Sequence, residues 1–194
     1  MCNCPGDSYR PAIAFAPDGA AYIAWQNRDS TRGDDDIYVR RWNGSAWVEV
    51  GAGSATGSGI TFSAVDSYNP AIAISPTGVP YVAWNGGGHY SEVYVRRFNG
   101  SMWENVGPLG PWGYGISQND GYSEYPAIAI GADGIPYVAW HDYSEIYVRR
   151  WNGSTWEELG PGSATGGGIS NSGSASDPTI AIAPGGMVYI AWTD

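Results

Sequence analysis

Pro70-Ala-Ile-Ala-Ile-Ser-Pro-Thr-Gly-Val-Pro-Tyr-Val-Ala-Trp84, followed after a short loop by Val93-Tyr-Val-Arg-Arg-Phe-Asn-Gly-Ser-Met-Trp-Glu-Asn-Val-Gly107, decides the fold. The first half recurs at 11–25, 126–140 and 178–192, and the second at 37–51 and 146–160. Small and large residues alternate in Ala71–Ile74 and again in Tyr81–Trp84. A period of two is the mark of a strand. Pro76-Thr-Gly78 supplies the turn between them. The third and fourth strands are joined by Asn99-Gly100, with Asn43-Gly44 and Asn152-Gly153 as counterparts. Asn-Gly between strand-forming residues predicts a two-residue type I′ hairpin turn. Helical periodicity is absent throughout. Each unit therefore reads as four short antiparallel strands.

The closing Trp25, Trp84, Trp140 and Trp192 are 59, 56 and 52 residues apart, so the 194-residue chain holds about three and a half repeats of about 56 residues. Neither strand face is polar: Ile23 and Trp25 share one side, Tyr22 and Ala24 the other. Four-stranded sheets covered on both faces are what stacked propeller blades require. The expectation is an all-β chain of propeller-type four-stranded antiparallel blades at 11–51, 70–107 and 126–160. An inner half-blade at 178–192 completes the domain 11–194, and residues 1–10 form an N-terminal extension with Cys2 and Cys4. Rings of this kind close with about four to eight blades. The ring is expected to be incomplete, and the partner that completes it is the chain itself, as a homo-oligomer.

The run Ala-Ile-Ala-Ile-x-Pro-x-Gly-x-Pro-Tyr-Val-Ala-Trp, followed by Ile-Tyr-Val-Arg-Arg-Trp-Asn-Gly-Ser-x-Trp-Glu, resembles repeats of bacterial extracellular β-propellers of the sialidase-like and NHL-like kind. The resemblance covers most of 11–194. It implies that the Ala-Ile-Ala strand is innermost, the fourth strand outermost, and the location extracellular or cell-surface.

Charge narrows the partners. Nine basic residues, all Arg, face 19 acidic ones for a net charge of −10. Nucleic acid and anionic membrane are approached through dense basic patches, which this chain lacks. No apolar run reaches the ~18 residues of a membrane span, and no basic-then-apolar start marks a signal peptide. Cys2 and Cys4 are too close for a relaxed disulfide and too few for a structural zinc site, so free or intermolecular thiols are expected.

Several residues carry chemical potential. If Asn43-Gly44 is the turn, Arg40 faces Trp47, Arg96 faces Trp103 and Arg149 faces Trp156, giving three structural cation–π pairs. An acid precedes each third strand (Asp36, Glu92, Glu145) and is placed to pair with Arg of a neighbouring blade. The loop Asp29–Asp36 carries four Asp and reads as a solvated acidic loop or a calcium loop. The connections 51–69, 108–125 and 161–177 share Gly-x-Gly-Ile-Ser/Thr, and the middle one is rich in aromatics. Trp112, Tyr114, Tyr122 and Tyr125, with His89, Tyr90, His141, Asp142 and Tyr143 of the preceding loops, suit either carbohydrate or a subunit contact. His141-Asp142 is half a hydrolytic triad without a third member, and no catalytic set, metal site or cofactor is assigned. The expected function is a non-enzymatic, self-associating structural or adhesive component. A lectin-like glycan binder is the alternative, and a degenerate sialidase-like glycosidase the distant one.

Overall fold

The computed structural model describes residues 6–30, 32–61, 65–87, 90–108, 115–118 and 121–194. Cys2, Cys4, His89, Trp112 and Tyr114 lie outside them. All regular structure among the described residues is β-strand. The first sheet holds β1 (Gly6–Phe15), β2 (Ala21–Asp29), β3 (Asp35–Trp42) and β4 (Trp47–Glu49). The second holds β5 (Ser67–Ile74), β6 (Pro80–Gly86), β7 (Glu92–Phe98) and β8 (Trp103–Asn105). The third holds β9 (Ser123–Ile130), β10 (Pro136–Asp142), β11 (Glu145–Trp151) and β12 (Trp156–Glu158), and β13 (Ser176–Ile182) pairs with β14 (Val188–Thr193). Each sheet is an antiparallel meander in chain order. The first strands are neighbours, β1 against β5, β5 against β9 and β9 against β13, so they form the inner wall. Among the described residues no helix is long and apolar enough to cross a membrane.

The alternation in the sequence gives every blade a large face and a small face. Ile72, Val82, Trp84 and Trp103 of the second blade pack on Ala12, Ala14, Tyr22 and Ala24 of the first. Ile128, Val138, Trp140 and Trp156 of the third pack in the same way on Ala71, Ala73, Tyr81 and Ala83 of the second. Fully burying each such side chain contributes roughly 1.5–3 kcal/mol. Within the large face, Trp84 stacks on Tyr94 with centroids 5.9 Å apart, as Trp25 does on Tyr38 and Trp140 on Tyr147. Two faces have no covering blade among the described residues. On the first blade Ile13 is 59% exposed, against 8% for Ile72 and 9% for Ile128 at the same position. On the terminal hairpin Tyr189 is 57% exposed, against 7–8% for Tyr22, Tyr81 and Tyr137.

Three expectations are corrected. The two-residue turn is Gly44-Ser45, with Asn43 N–H donating to Ala46 O at 3.0 Å. Asn43 Oδ1 accepts from the N–H groups of Ser45 and Ala46, and only Gly44 has a positive φ (+100°), the type II′ arrangement. Moving the turn by one residue moves every cross-strand partner by two. Arg40 therefore faces Glu49, Arg96 faces Asn105 and Arg149 faces Glu158, while Trp47, Trp103 and Trp156 face Trp42, Phe98 and Trp151. The guanidinium of Arg96 instead lies 6.0 Å from the ring of Trp84, and that of Arg41 5.9 Å from Tyr22.

Second, the acids before the third strands are held within their own blade. Asp36 accepts from Thr61 Oγ1 at 2.6 Å, Glu92 from Ser117 Oγ, and Glu145 from Ser170 Oγ at 2.5 Å. This explains the Ser/Thr of Gly-x-Gly-Ile-Ser/Thr: the acid ties the connection to the strand it passes. Ile60, Ile116 and Ile169 add backbone bonds to Ile37, Val93 and Ile146. Arg149 of the third blade reaches Glu92 only as a nearby charge. Third, β1 begins at Gly6, so residues 6–10 are the first half of an inner strand.

Candidate functional site

Each inner strand is interrupted at the same point. The register with its neighbour shifts between Tyr9 and Ala12, between Tyr68 and Ala71, opposite Ala139–His141, and between Ser176 and Thr179. The cause is a proline. Pro11, Pro70, Pro126 and Pro178 have no N–H to give the ladder, so the strand bulges there. The residue before each proline takes up the distortion in the left-handed region: Arg10 at φ +49°, Asn69 at +54°, Tyr125 at +50° and Asp177 at +49°.

Among the described residues, these four X–Pro dipeptides line a cavity of about 270 Å³ where the inner strands converge. The proline is the same in every repeat, yet the residue before it is a guanidinium, a carboxamide, a phenol and a carboxylate. Arg10 lies over Tyr125, 5.2 Å from its centroid. Tyr125 in turn packs on His141, with centroids 5.2 Å apart. Asn69 Nδ2 donates to Asn85 Oδ1 at 2.7 Å, and Asn85 Nδ2 to Ser91 Oγ at 3.0 Å.

The supporting layer also follows the repeat. Gln26, Asn85, His141 and Thr193 each follow the closing Trp and stand opposite Tyr9, Tyr68, Glu124 and Ser176. Gln26 Nε2 is held by Asp35 at 2.9 Å. Gln26 Oε1, Asn69 Oδ1 and His141 Nδ1 are buried without a hydrogen-bond partner among the described residues. Leaving such an atom unpaired costs about 1–3 kcal/mol. Beside Asn69, Tyr68 donates its hydroxyl to Asp66 at 2.8 Å. Burial first, and that carboxylate second, push its phenol up to about 12.

Of the residues singled out in the sequence, the structure assembles two groups. Tyr125 and His141 belong to the cavity wall and its support. Tyr90, Tyr122 and Tyr143 form an exposed edge-to-face ladder with centroids 6.1 and 6.0 Å apart. Asp142 is buried behind the ladder, accepting from Tyr122 N at 2.9 Å and Ser123 Oγ at 3.4 Å, and so is a support for the loop. Tyr143 sits at the β10–β11 turn with φ +56°. The acidic loop is organised around Arg32, which bonds Asp29 and Asp36 and reaches Ser58 Oγ at 2.8 Å.

Arg10, Asn69 and Asp177 are not marked by the repeat itself, which begins at the proline. The signal was present: the position before an unvarying proline changes chemistry in all four copies.

No protein-family model and no curated protein matches the chain. Solved structures do. A protein of unknown function from Dyadobacter fermentans superposes with TM-score 0.63 at 12% identity, over 97% of this chain and 57% of that one. A Hadza microbial sialidase gives 0.60 at 14%, over 96% and 42%. An endo-arabinase from Bacteroides thetaiotaomicron gives 0.60 at 12%, over 99% and 72%. The chain thus spans just over half the length of the Dyadobacter protein. At these identities the likeness is one of fold, and the fold is a β-propeller built on blades shared with sialidase-like and family-43 glycoside hydrolase structures.

Proposed function

We propose that the protein is a non-enzymatic, carbohydrate-binding β-propeller module of the cell exterior, holding a sugar at the cavity lined by the X–Pro bulges. One observation carries the reading: a position whose chemistry differs in every repeat converges on the cavity. Arg10 supplies donors, Asp177 supplies acceptors, Tyr125 supplies an aromatic wall, and Asn69 completes the rim while tied to Asn85. That is a small set of fixed polar groups in a concavity, the usual make-up of a small-molecule site. Sugar hydroxyls meet the polar groups and sugar C–H faces meet the ring. The same inventory argues for binding without turnover. Glycoside hydrolysis ordinarily uses two carboxyl groups roughly 5–9.5 Å apart, and Asp177 is the one carboxylate among the described residues of the lining. Isothermal titration against a panel of mono- and oligosaccharides tests the reading. A binding sugar should lose at least tenfold in affinity with Tyr125→Ala and with Arg10→Ala. A panel without a ligand, or a ligand indifferent to both changes, overturns it.

The second reading is a self-associating structural or adhesive component. It is favoured by the exposure of Ile13, Phe15 and Tyr189 on blade faces whose counterparts are buried between blades.

A further inference from the structure

We propose that the first blade binds a small carboxylate at Arg41 and Asn43, in the cleft it forms with the second blade and apart from the X–Pro cavity. The later blades show what such a place takes. In the second blade Glu104 of β8 bridges two donors at the end of β7. Arg97 Nε gives one of its oxygens a bond of 2.8 Å, and Asn99 Nδ2 gives the other a bond of 2.8 Å. In the third blade Glu157 bridges Arg150 Nε at 2.8 Å and Asn152 Nδ2 at 2.9 Å. These bonds, the carboxamide's first and the guanidinium's second, draw both carboxyls below 4.5. The first blade keeps the same donors in the same register. Arg41 stands between Tyr22 and position 48, as Arg97 stands between Tyr81 and Glu104 and Arg150 between Tyr137 and Glu157. Position 48, however, is Val48.

The donors have stayed where the acid is missing. The Arg41 side chain is 42% exposed, against 44% for Arg97 and 42% for Arg150. Its Nε is buried with no hydrogen-bond partner among the described residues. Asn43 is bonded there through Oδ1 alone, which accepts from Ser45 and Ala46. Two acids lie near, and neither replaces the lost one. Glu49 is taken up by the N–H groups of Gly53 at 3.2 Å and Ala55 at 3.1 Å. Asp18 stops 3.8 Å from Arg41 Nη2, beyond hydrogen-bonding distance, and its other oxygen accepts from Ala20 N at 2.9 Å. Beside Arg41 and Val48 opens a cavity of about 380 Å³, walled also by Tyr22, Phe98 and Asn99. That volume suits a small molecule. A guanidinium with a neighbouring amide N–H holds a carboxylate by charge-assisted bonds, and the two rings offer an apolar wall to the rest of the ligand.

Titration of the ¹⁵N-labelled chain in a carboxylate-free buffer tests the site, with acetate, glucuronate and glucose as probes. The Arg41 Nε–H resonance, identified by its loss in Arg41→Gln, should shift with acetate and with glucuronate and stay in place with glucose. Those of Arg97 and Arg150, already paired, should not move. Tighter binding of glucuronate than of acetate supports a site that reads a sugar acid, its ring against Tyr22 and Phe98. Equal binding supports a site that reads the carboxylate alone. Val48→Glu supplies the acid from within, as the later blades do, and should weaken acetate by at least about tenfold, the worth of a charge-assisted bond. Val48→Leu should leave acetate binding as it is. A shift with glucose equal to that with glucuronate, no shift with any probe, or acetate binding that survives Val48→Glu overturns the site. Tyr125→Ala should leave the Arg41 response intact, so the outcome stands apart from that of the sugar reading at the X–Pro cavity.

Discussion

The indole N–H of Trp103 donates to the backbone carbonyl of Val50 in the preceding blade at 2.7 Å, and Trp156 repeats the bond to Val106 at the same distance. The donor leads one blade's fourth strand, and the acceptor follows that of the blade before. The bond therefore fixes the blades' relative position as well as joining them. Trp47 holds the equivalent place in the first blade, and no such bond is found for it among the described residues.

Trp103→Phe should consequently lower stability by about 1 kcal/mol through the lost bond, in addition to any change in packing. Trp47→Phe should cost measurably less at protein concentrations where the chain is monomeric. Paired chemical denaturation of the two variants checks this. Equal losses would mean that the interblade bond contributes nothing beyond the ring.

The glycine before each Ile of Gly-x-Gly-Ile-Ser/Thr passes against the third strand. A Cβ at Gly59 would lie 2.1 Å from Ile37 O, and one at Gly168 the same distance from Ile146 O. Both also have positive φ, +56° and +60°. Gly59→Ala should therefore unfold the connection locally or cost several kcal/mol, well above the ~1 kcal/mol typical of a point mutation. Hydrogen exchange at the Ile60 amide, which bonds Ile37 O at 2.8 Å, would report the opening first.

Glu92 and Glu145 occupy the same place in successive blades but are shifted in opposite directions. Burial pushes the Glu92 carboxyl above 4.5, against the pull of its bonds from Ser117 and Gln118. The Ser170 hydroxyl, assisted by backbone N–H groups, draws Glu145 below 4.5. Between 4.5 and its folded value Glu92 keeps a proton that the unfolded chain has released, so its contribution to stability falls as pH rises through that window. Glu145 contributes stability above 4.5 that is lost as pH falls through its folded value. Carboxyl ¹³C titration should place the two on opposite sides of 4.5. Glu145→Gln should flatten the acid side of the stability profile, and Glu92→Gln should remove a loss on raising pH.

Asp177 holds a left-handed conformation before a proline with little packing around it. Non-glycine residues pay roughly 1–2 kcal/mol for that region. Asp177→Gly should raise thermal stability while weakening any sugar bound at the cavity, the usual exchange where strain is kept at a working site. A variant that lost stability would show that Asp177 is there for the fold.

The strands, blade count and two-faced character of each sheet were legible in the sequence because they depend on local alternation and on turns such as Ser75-Pro-Thr-Gly78. Where a side chain could do the work of the backbone, the reading slipped. Asn43 uses its carboxamide to build the turn one residue later than Asn-Gly predicts, and every Arg opposite a Trp moved with it. The acid before each third strand reads as paired in the sequence, but its partner, a hydroxyl 25 residues on, is visible only once the connection has folded back.

The sequence by itself determined the repeat: a period of two sets which residues share a face, and that is a property of neighbours along the chain. The meeting of Arg10, Asn69, Tyr125 and Asp177 around one cavity was decided by tertiary structure. These residues are more than 50 residues apart from one copy to the next, and only the stacking of large faces on small ones turns four separate bulges toward a common centre.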